Sequence, residues 1–167
     1  MSSGANPFIA LSTPPEGNDP EEQLNYLKEV VHAFETTGNA RVRPLGRKLE
    51  DALARLAVAG QRGGDPEKLA RQFAQEVSEL RLQAYDLLLT VINQVRGTLR
   101  VKLQQGMPGP RRGDSERLQK ALAAFSQALR KALVAVKKGD RDAQTEADKL
   151  VSEASTLLDE SGRELAG

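Results

Sequence analysis

The chain has 167 residues, 39% of them hydrophobic, with 24 Lys and Arg against 23 Asp and Glu, so its net charge is +1. That length suits one domain whose core needs no covalent staple. With no Cys and one His, disulfide scaffolds, thiolate metal sites, thiol redox chemistry and Cys nucleophiles are excluded, and a histidine-based triad has little to draw on.

Ala, Leu, Arg, Glu and Gln dominate, Val and Ile are sparse, and aromatics are few. These are good helix formers, so the expected class is all-α. No apolar run approaches the length of about 18 residues that a membrane-spanning helix needs. The N-terminus has neither a basic n-region nor an apolar h-region, so it does not read as a secretion signal. A cytoplasmic protein without a transmembrane segment is the expectation. The Ala, Arg and Gly bias matches a GC-rich bacterial genome.

The small net charge hides a segregation. Residues 1–40 carry −5, 41–62 carry +4, 63–95 carry −2, 96–138 carry +9 and 139–167 carry −5. Acidic ends flank a basic middle. Either oppositely charged helices pack together, or the middle is a face for an anionic partner.

Residues 1–18 are rich in Pro, Ser and Gly and lack a helical period, so they read as a flexible tail. Within it Phe8, Ile9 and Leu11 form an apolar patch between Pro7 and Pro14-Pro15, able to dock on its own bundle or in a partner's groove. Asp19-Pro20 opens the first helix as N-cap and first helical residue, with Glu21 and Glu22 at the positive end of its dipole. Its stripe is Leu24, Leu27, Val31 and Phe34. A second helix runs from near Pro44 to Ala59, with Leu45, Leu49, Ala52/Leu53 and Leu56 inward and Gly60 as its stop.

Asp65-Pro66-Glu67 repeats the helix start and opens the longest run in the chain. Leu69, Phe73, Val77, Leu80, Ala84, Leu87 and Val91 form one stripe; Tyr85, Leu88, Ile92, Val95 and Leu99 form another beside it. Two stripes mean neighbours on two sides, which makes this third helix the central one. Unbroken to Gln105 it would span about 60 Å at 1.5 Å per residue, so either it breaks at Gly97 or its end pairs with another chain, for instance a second copy in a homodimer. Thr98 to Gln104 alternates as a strand would, but it lacks a partner strand and is kept helical.

Gly106 to Gly113 reads as a break. Asp114 then caps a fourth helix, whose residues Leu118, Leu122, Phe125, Leu129, Ala132 and Val136 form an a/d seam. Gly139 closes it. A fifth helix follows from Asp140, with small inward residues, and residues 163–167 read as frayed. The expected architecture is an antiparallel bundle of four to five helices over residues 19–162 with a long central third helix.

Chemistry-bearing constellations are few. Glu29 and His32 have the Glu-x-x-His spacing of di-iron bundles, which use it twice with two further inward glutamates; there is no second copy here, so neither metal nor cofactor is expected. His32 on an early helix, followed by Phe34, a Gly-containing stretch and Leu49-Glu50, resembles a histidine phosphotransfer domain over residues 25–95. The resemblance implies a phosphoryl acceptor at His32. The Lys-Gly usual in that family is here Glu35-Thr36, and a carboxylate there repels a phosphoryl group.

Arg112-Gly113-Asp114-Ser115 spells an integrin-binding tetrapeptide, but Asp114 serves as a cap and no secretion signal precedes it. Asp140, Asp142 and Asp148 lack the glycine and terminal glutamate of a calcium loop. Gln61-Arg62-Gly63-Gly64 lacks the Lys-Ser/Thr of a phosphate loop. No serine sits in a nucleophile elbow, so an enzyme is not expected.

The leading expectation is therefore a non-enzymatic adaptor, scaffold or regulatory subunit that docks helix against helix. Its partner is another protein, met through Tyr85, Leu88, Leu89 and Ile92 and through the tail residues Phe8, Ile9 and Leu11. The alternative is backbone-led nucleic-acid binding through residues 96–138, carried by Arg96, Arg100, Lys102, Arg111 and Arg112 and assisted by Arg41, Arg43, Arg47 and Lys48. Without interleaved aromatics it would be non-specific. Phosphotransfer through His32 is the third reading.

Overall fold

The structure is a computed structural model that describes residues 6–17, 19–37, 40–106 and 109–166, with backbone alone at 109–111 and 162–166. Among these residues there are six helices and no strand: α1 Pro7–Ser12, α2 Pro20–Thr36, α3 Arg43–Gln61, α4 Pro66–Gln104, α5 Gly109–Lys137 and α6 Arg141–Ala166. The all-α class holds. The count is six because the tail supplies α1. None of these helices is long and apolar enough to cross a membrane.

Local chemistry explains most boundaries. The Asp19 carboxylate accepts from the Glu21 N–H at 3.0 Å, Asp65 from Glu67 at 3.1 Å and Asp140 from Asp142 at 3.0 Å. Each cap satisfies a first-turn donor that has no partner within the helix. At the other end of α3 the Gly63 N–H reaches the Gly60 carbonyl and the Gly64 N–H reaches the Ala59 carbonyl, at 3.2 and 3.1 Å. Gly63 has φ +79°, so this is a Schellman stop. The helix thus runs through Gly60 and ends two residues later than expected, because Gly63 is the residue that takes the left-handed turn.

Gly139, at φ +94°, closes α5 in the same way, with its N–H on Val136 and that of Asp140 on Ala135. Asp140 completes that stop and caps α6, which leaves α5 and α6 joined by a minimal turn.

Two expectations in the second half change. α4 continues through Gly97 to Gln104, so the alternating Thr98–Gln104 stretch is helix, with Leu99 and Leu103 buried and Val101 exposed. α5 starts at Gly109 rather than after Asp114. Asp114 therefore lies inside the helix and is not its cap. Pro110 fits in that first turn, where a missing N–H removes no helical hydrogen bond.

The chain divides into two compact units, Met1–Ala84 and Tyr85–Gly167, where the sequence suggested one domain over 19–162. The division falls inside α4. In the first unit α2 and α3 form an antiparallel pair: a Cβ on Gly46 would stand 2.6 Å from the Phe34 Cβ, so glycine permits the closest approach of the two helices. Val30, Ala33, Phe34, Val42, Leu49 and Ala52 make the core there. α4 lies on another side of α3, tied by an Arg55–Glu76 ion pair at 3.1 Å.

The second unit is an up-down-up set of the end of α4, then α5, then α6. Lys137 meets Asp86 at 3.6 Å at one end, Ser126 meets Asn93 at 3.0 Å midway, and Arg117 pairs with Glu160 near the other end. Leu99, Leu118, Leu122, Leu129 and Val151 fill the interior.

Candidate functional site

The apolar face expected to meet a partner is interior. Tyr85, Leu88 and Ile92 are fully buried within the second unit, and Leu89 is half-buried. The Tyr85 hydroxyl donates to the Asp148 carboxylate, which also accepts from the Gln144 amide at 2.9 Å. A periodic apolar stripe shows that something covers it. Here α5 and α6 of the same chain do, so the docking face placed at these residues is corrected to core. The tail patch is likewise occupied: Phe8 and Leu11 are buried in the first unit and Ile9 is half-buried.

The basic residues chosen for nucleic acid are partly spent inside the second unit. Arg96 Nη1 donates to the side-chain Oδ1 of Asn93 at 3.0 Å, and the same oxygen accepts from Ser126 Oγ. Arg112 Nε donates to Glu116 at 3.1 Å and its Nη1 to the Leu103 carbonyl at 3.3 Å. It therefore satisfies a last-turn carbonyl of α4, where a cation also suits the dipole. Arg100 is exposed and Lys102 half-buried. The Arg111 side chain lies outside the described residues.

In the first unit, His32 is exposed on α2. Among the described residues no group of three potential metal ligands comes together. Glu35 and Glu50 do meet across the α2/α3 pair. The hydrogen bond from Glu35 and its like charge push the Glu50 carboxyl above its ordinary range, while Arg47 pulls the other way.

The feature that stands out lies on α3. Ala52 to Gly60 reads ALARLAVAG, apolar all round except for Arg55. A helix segment of that kind belongs in an interior. α2 covers it at Ala52 and α4 approaches it beside Arg55, yet Val58 is 46% exposed. Across the pair, Leu24 of α2 is 42% exposed. The antiparallel register that brings Gly46 against Phe34 sets Leu24 beside Leu56 and Ala57.

Leu24, Val31, Leu53, Ala54, Leu56 and Ala57 line one groove of about 650 Å³, with Lys28 and Glu50 as its charged members. A second hollow of about 580 Å³, walled by Ala54, Val58, Ala59 and the 62–64 turn, adjoins it at Ala54. The second unit's exposed valines, Val101 on α4 and Val134 on α5, sit at different levels of their antiparallel pair, and single exposed apolar residues need no explanation.

The expected site list misses this groove entirely. The signal was present in the loss of helical periodicity over residues 52–60, where the apolar stripe widens to the whole circumference. Comparison with protein-family models, curated proteins and solved structures finds no match to this chain.

Proposed function

We propose that this chain is a non-enzymatic interaction protein, an adaptor, scaffold or regulatory subunit, that receives an amphipathic helix of a partner protein in the α2/α3 groove. The observation that carries the reading is the apolar lining of this groove, with Leu24 at 42% exposure, continued at Ala54 into the hollow that Val58 lines at 46%. Leaving such surface in water costs about 25 cal/mol per Å² relative to covering it, and contiguous apolar patches mark contact sites. Ala54 and Ala57 let a helix come close. Lys28 and Glu50 at the sides orient it through charge. A second copy of the chain is the other candidate occupant.

A photo-crosslinking side chain in place of Ala57 in the full chain tests this. A covalent adduct with one other protein is expected, lost in Leu24→Asp/Val58→Asp while helicity is retained. An adduct that persists in that variant overturns the groove as the site, and an adduct of twice the chain's mass identifies the second copy.

A specific observation also keeps the nucleic-acid reading in view. Arg100, Lys120, Arg130 and Lys131 are exposed and have no ion-pair partner among the described residues. Binding through them would weaken steeply between low and moderate salt, and Arg130→Ala/Lys131→Ala would flatten that slope by about two counterions.

A further inference from the structure

We propose that the helix received by the α2/α3 groove is α2 of a second copy of this chain, so that two copies close an antiparallel four-helix bundle about a twofold axis running along the groove. The inference rests on the groove being the contact site and selects between its two candidate occupants.

One side of the α2/α3 pair is already covered. The Tyr26 hydroxyl donates to the Leu11 carbonyl, which also accepts from Arg81 Nη1 at 3.3 Å. Tyr26 therefore faces α1 and α4. Residues two apart on a helix do not share a face, so Leu24 and Lys28 point the other way, into the groove that they line.

The two walls of the groove differ in kind. α3 supplies Glu50, Leu53, Ala54 and Ala57. Their spacing of three, one and three makes a diamond on the helix surface, a hole of the kind that receives a knob from a facing helix. α2 supplies the exposed Leu24 and Lys28, one turn apart. A hole beside a row of knobs fits a second copy turned so that each row lies over the other's hole. A twofold axis parallel to the helices does this, and every contact then occurs twice. It sets α2 of each copy over α3 of the other, and all four neighbouring helix pairs are antiparallel.

Charge points to the same occupant. The groove's two charged members have opposite sign. Lys28 is exposed and has no ion-pair partner among the described residues. Glu50 has Arg47 nearby, but its side-chain hydrogen bond is with another carboxyl, that of Glu35. With Phe34 level with Gly46, Lys28 is level with Ala52 and Leu24 with Leu56. The twofold axis keeps each residue at its own level. The second copy's Lys28 therefore stands two residues from Glu50 along the bundle, about 3 Å at 1.5 Å per residue, well within the span of a lysine side chain. Its Leu24 stands over the small Ala57. A twofold pair thus gains two Lys28–Glu50 contacts, one at each side, and covers both leucines.

Charge reversal in the full chain tests this arrangement. Light scattering from micromolar to millimolar concentration is expected to show monomers passing into dimers. Lys28→Glu and Glu50→Lys, each at an exposed position, should each weaken self-association by about 10-fold, because each turns two attractions into two repulsions. Mixed in equal amounts, the two variants should associate as tightly as wild type. A Lys28→Glu copy facing a Glu50→Lys copy restores both pairs with the signs exchanged. Leu24→Asp should abolish the dimer.

A wild type that stays monomeric at millimolar concentration overturns the proposal. So does a dimer that Leu24→Asp leaves intact, or a pair of weakened charge variants whose mixture does not recover. Should Leu24→Asp lose its helicity, the mixture of charge variants decides alone. The groove reading fails separately. A monomeric chain that crosslinks through position 57 to another protein keeps the groove and loses the second copy. A dimer with no adduct of any mass at position 57 loses both.

Discussion

The two units differ in how many polar side chains they bury and in whether their exposed apolar residues lie together. The second buries polar side chains: Ser115, Ser126, Ser155 and Ser161 all lie inside, and its leucines at 99, 118, 122 and 129 are sealed. The first gathers its exposed apolar side chains, with Leu24, Ala54 and Ala57 around one groove and Val58 in the hollow that adjoins it. A unit that hides serine has closed its interior at some cost in polar satisfaction, and Ser155 Oγ and Arg96 Nε have no protein partner there. A unit that shows leucine has apolar surface still to be covered. The difference gathers the first unit's uncovered apolar residues beside one another and puts the second unit's apolar stripes in its interior.

Truncating one leucine in each unit is the strongest way to break that comparison. Leu122→Ala should cost 2–5 kcal/mol (an order-of-magnitude expectation for a sealed site), through lost transfer energy and a cavity. Leu24→Ala should cost no more than about 0.5 kcal/mol, because the side chain is already half in water. Urea denaturation of the full chains compares them directly. Equal losses would mean that Leu24 is core and the groove is not open.

Gly46→Ala comes next. Its new Cβ meets the Phe34 Cβ, an atom fixed to the backbone of α2, so the α2/α3 pair must separate. A loss of about 1–3 kcal/mol is expected. Hydrogen exchange should show the change in α2 and α3 while the α5 and α6 amides keep their protection. Slowed exchange, or a change spread evenly over both units, would contradict the described register.

The sequence made the helices legible and their cover illegible. Asp19-Pro20 and Asp65-Pro66 announced their helices because cap and first-turn proline act within a few residues. Asn6-Pro7 carries the same pairing, and α1 was passed over because six residues show no period. The seam from Leu118 to Val136 was readable as a buried face. Its cover was not. Whether Tyr85, Leu88 and Ile92 meet α5 and α6 or a foreign helix is decided by chain topology, which periodicity does not encode. The groove was missed for the converse reason: Ala54 and Ala57 look like helix filler until the register of α2 on α3 sets Leu24 beside them.

Ser126→Ala tests the second unit's polar interior. It removes one donor from the Asn93 oxygen while Arg96 remains on it, so no acceptor is stranded and the cost should be about 1 kcal/mol. A much larger loss would show that the serine fixes the α4/α5 register rather than merely satisfying it.

The smallest effect belongs to the acidic pair at the rim of the first unit. The hydrogen bond and like charge from Glu35 hold the Glu50 carboxyl above its ordinary value of 4.5. The folded chain therefore holds that proton more tightly than the unfolded chain does. A raised carboxyl contributes stability that is fully present below the unfolded value and is lost as pH rises through the folded one. The first unit should accordingly lose a little stability as pH climbs from about 4.5 through the folded-state value of Glu50, a trend opposite to that of a carboxylate held by a cation.

Glu35→Gln keeps a side chain able to hydrogen-bond and removes the second charge, so it should flatten that part of the stability-pH curve. Thermal melts of wild type and variant across that range read the difference. Both residues are exposed, and solvent and salt screen the repulsion. The slope should therefore shrink as salt is added. A slope indifferent to both salt and Glu35→Gln would mean that the two carboxyls do not face one another, and that the antiparallel register, on which the groove also depends, is wrong at that end.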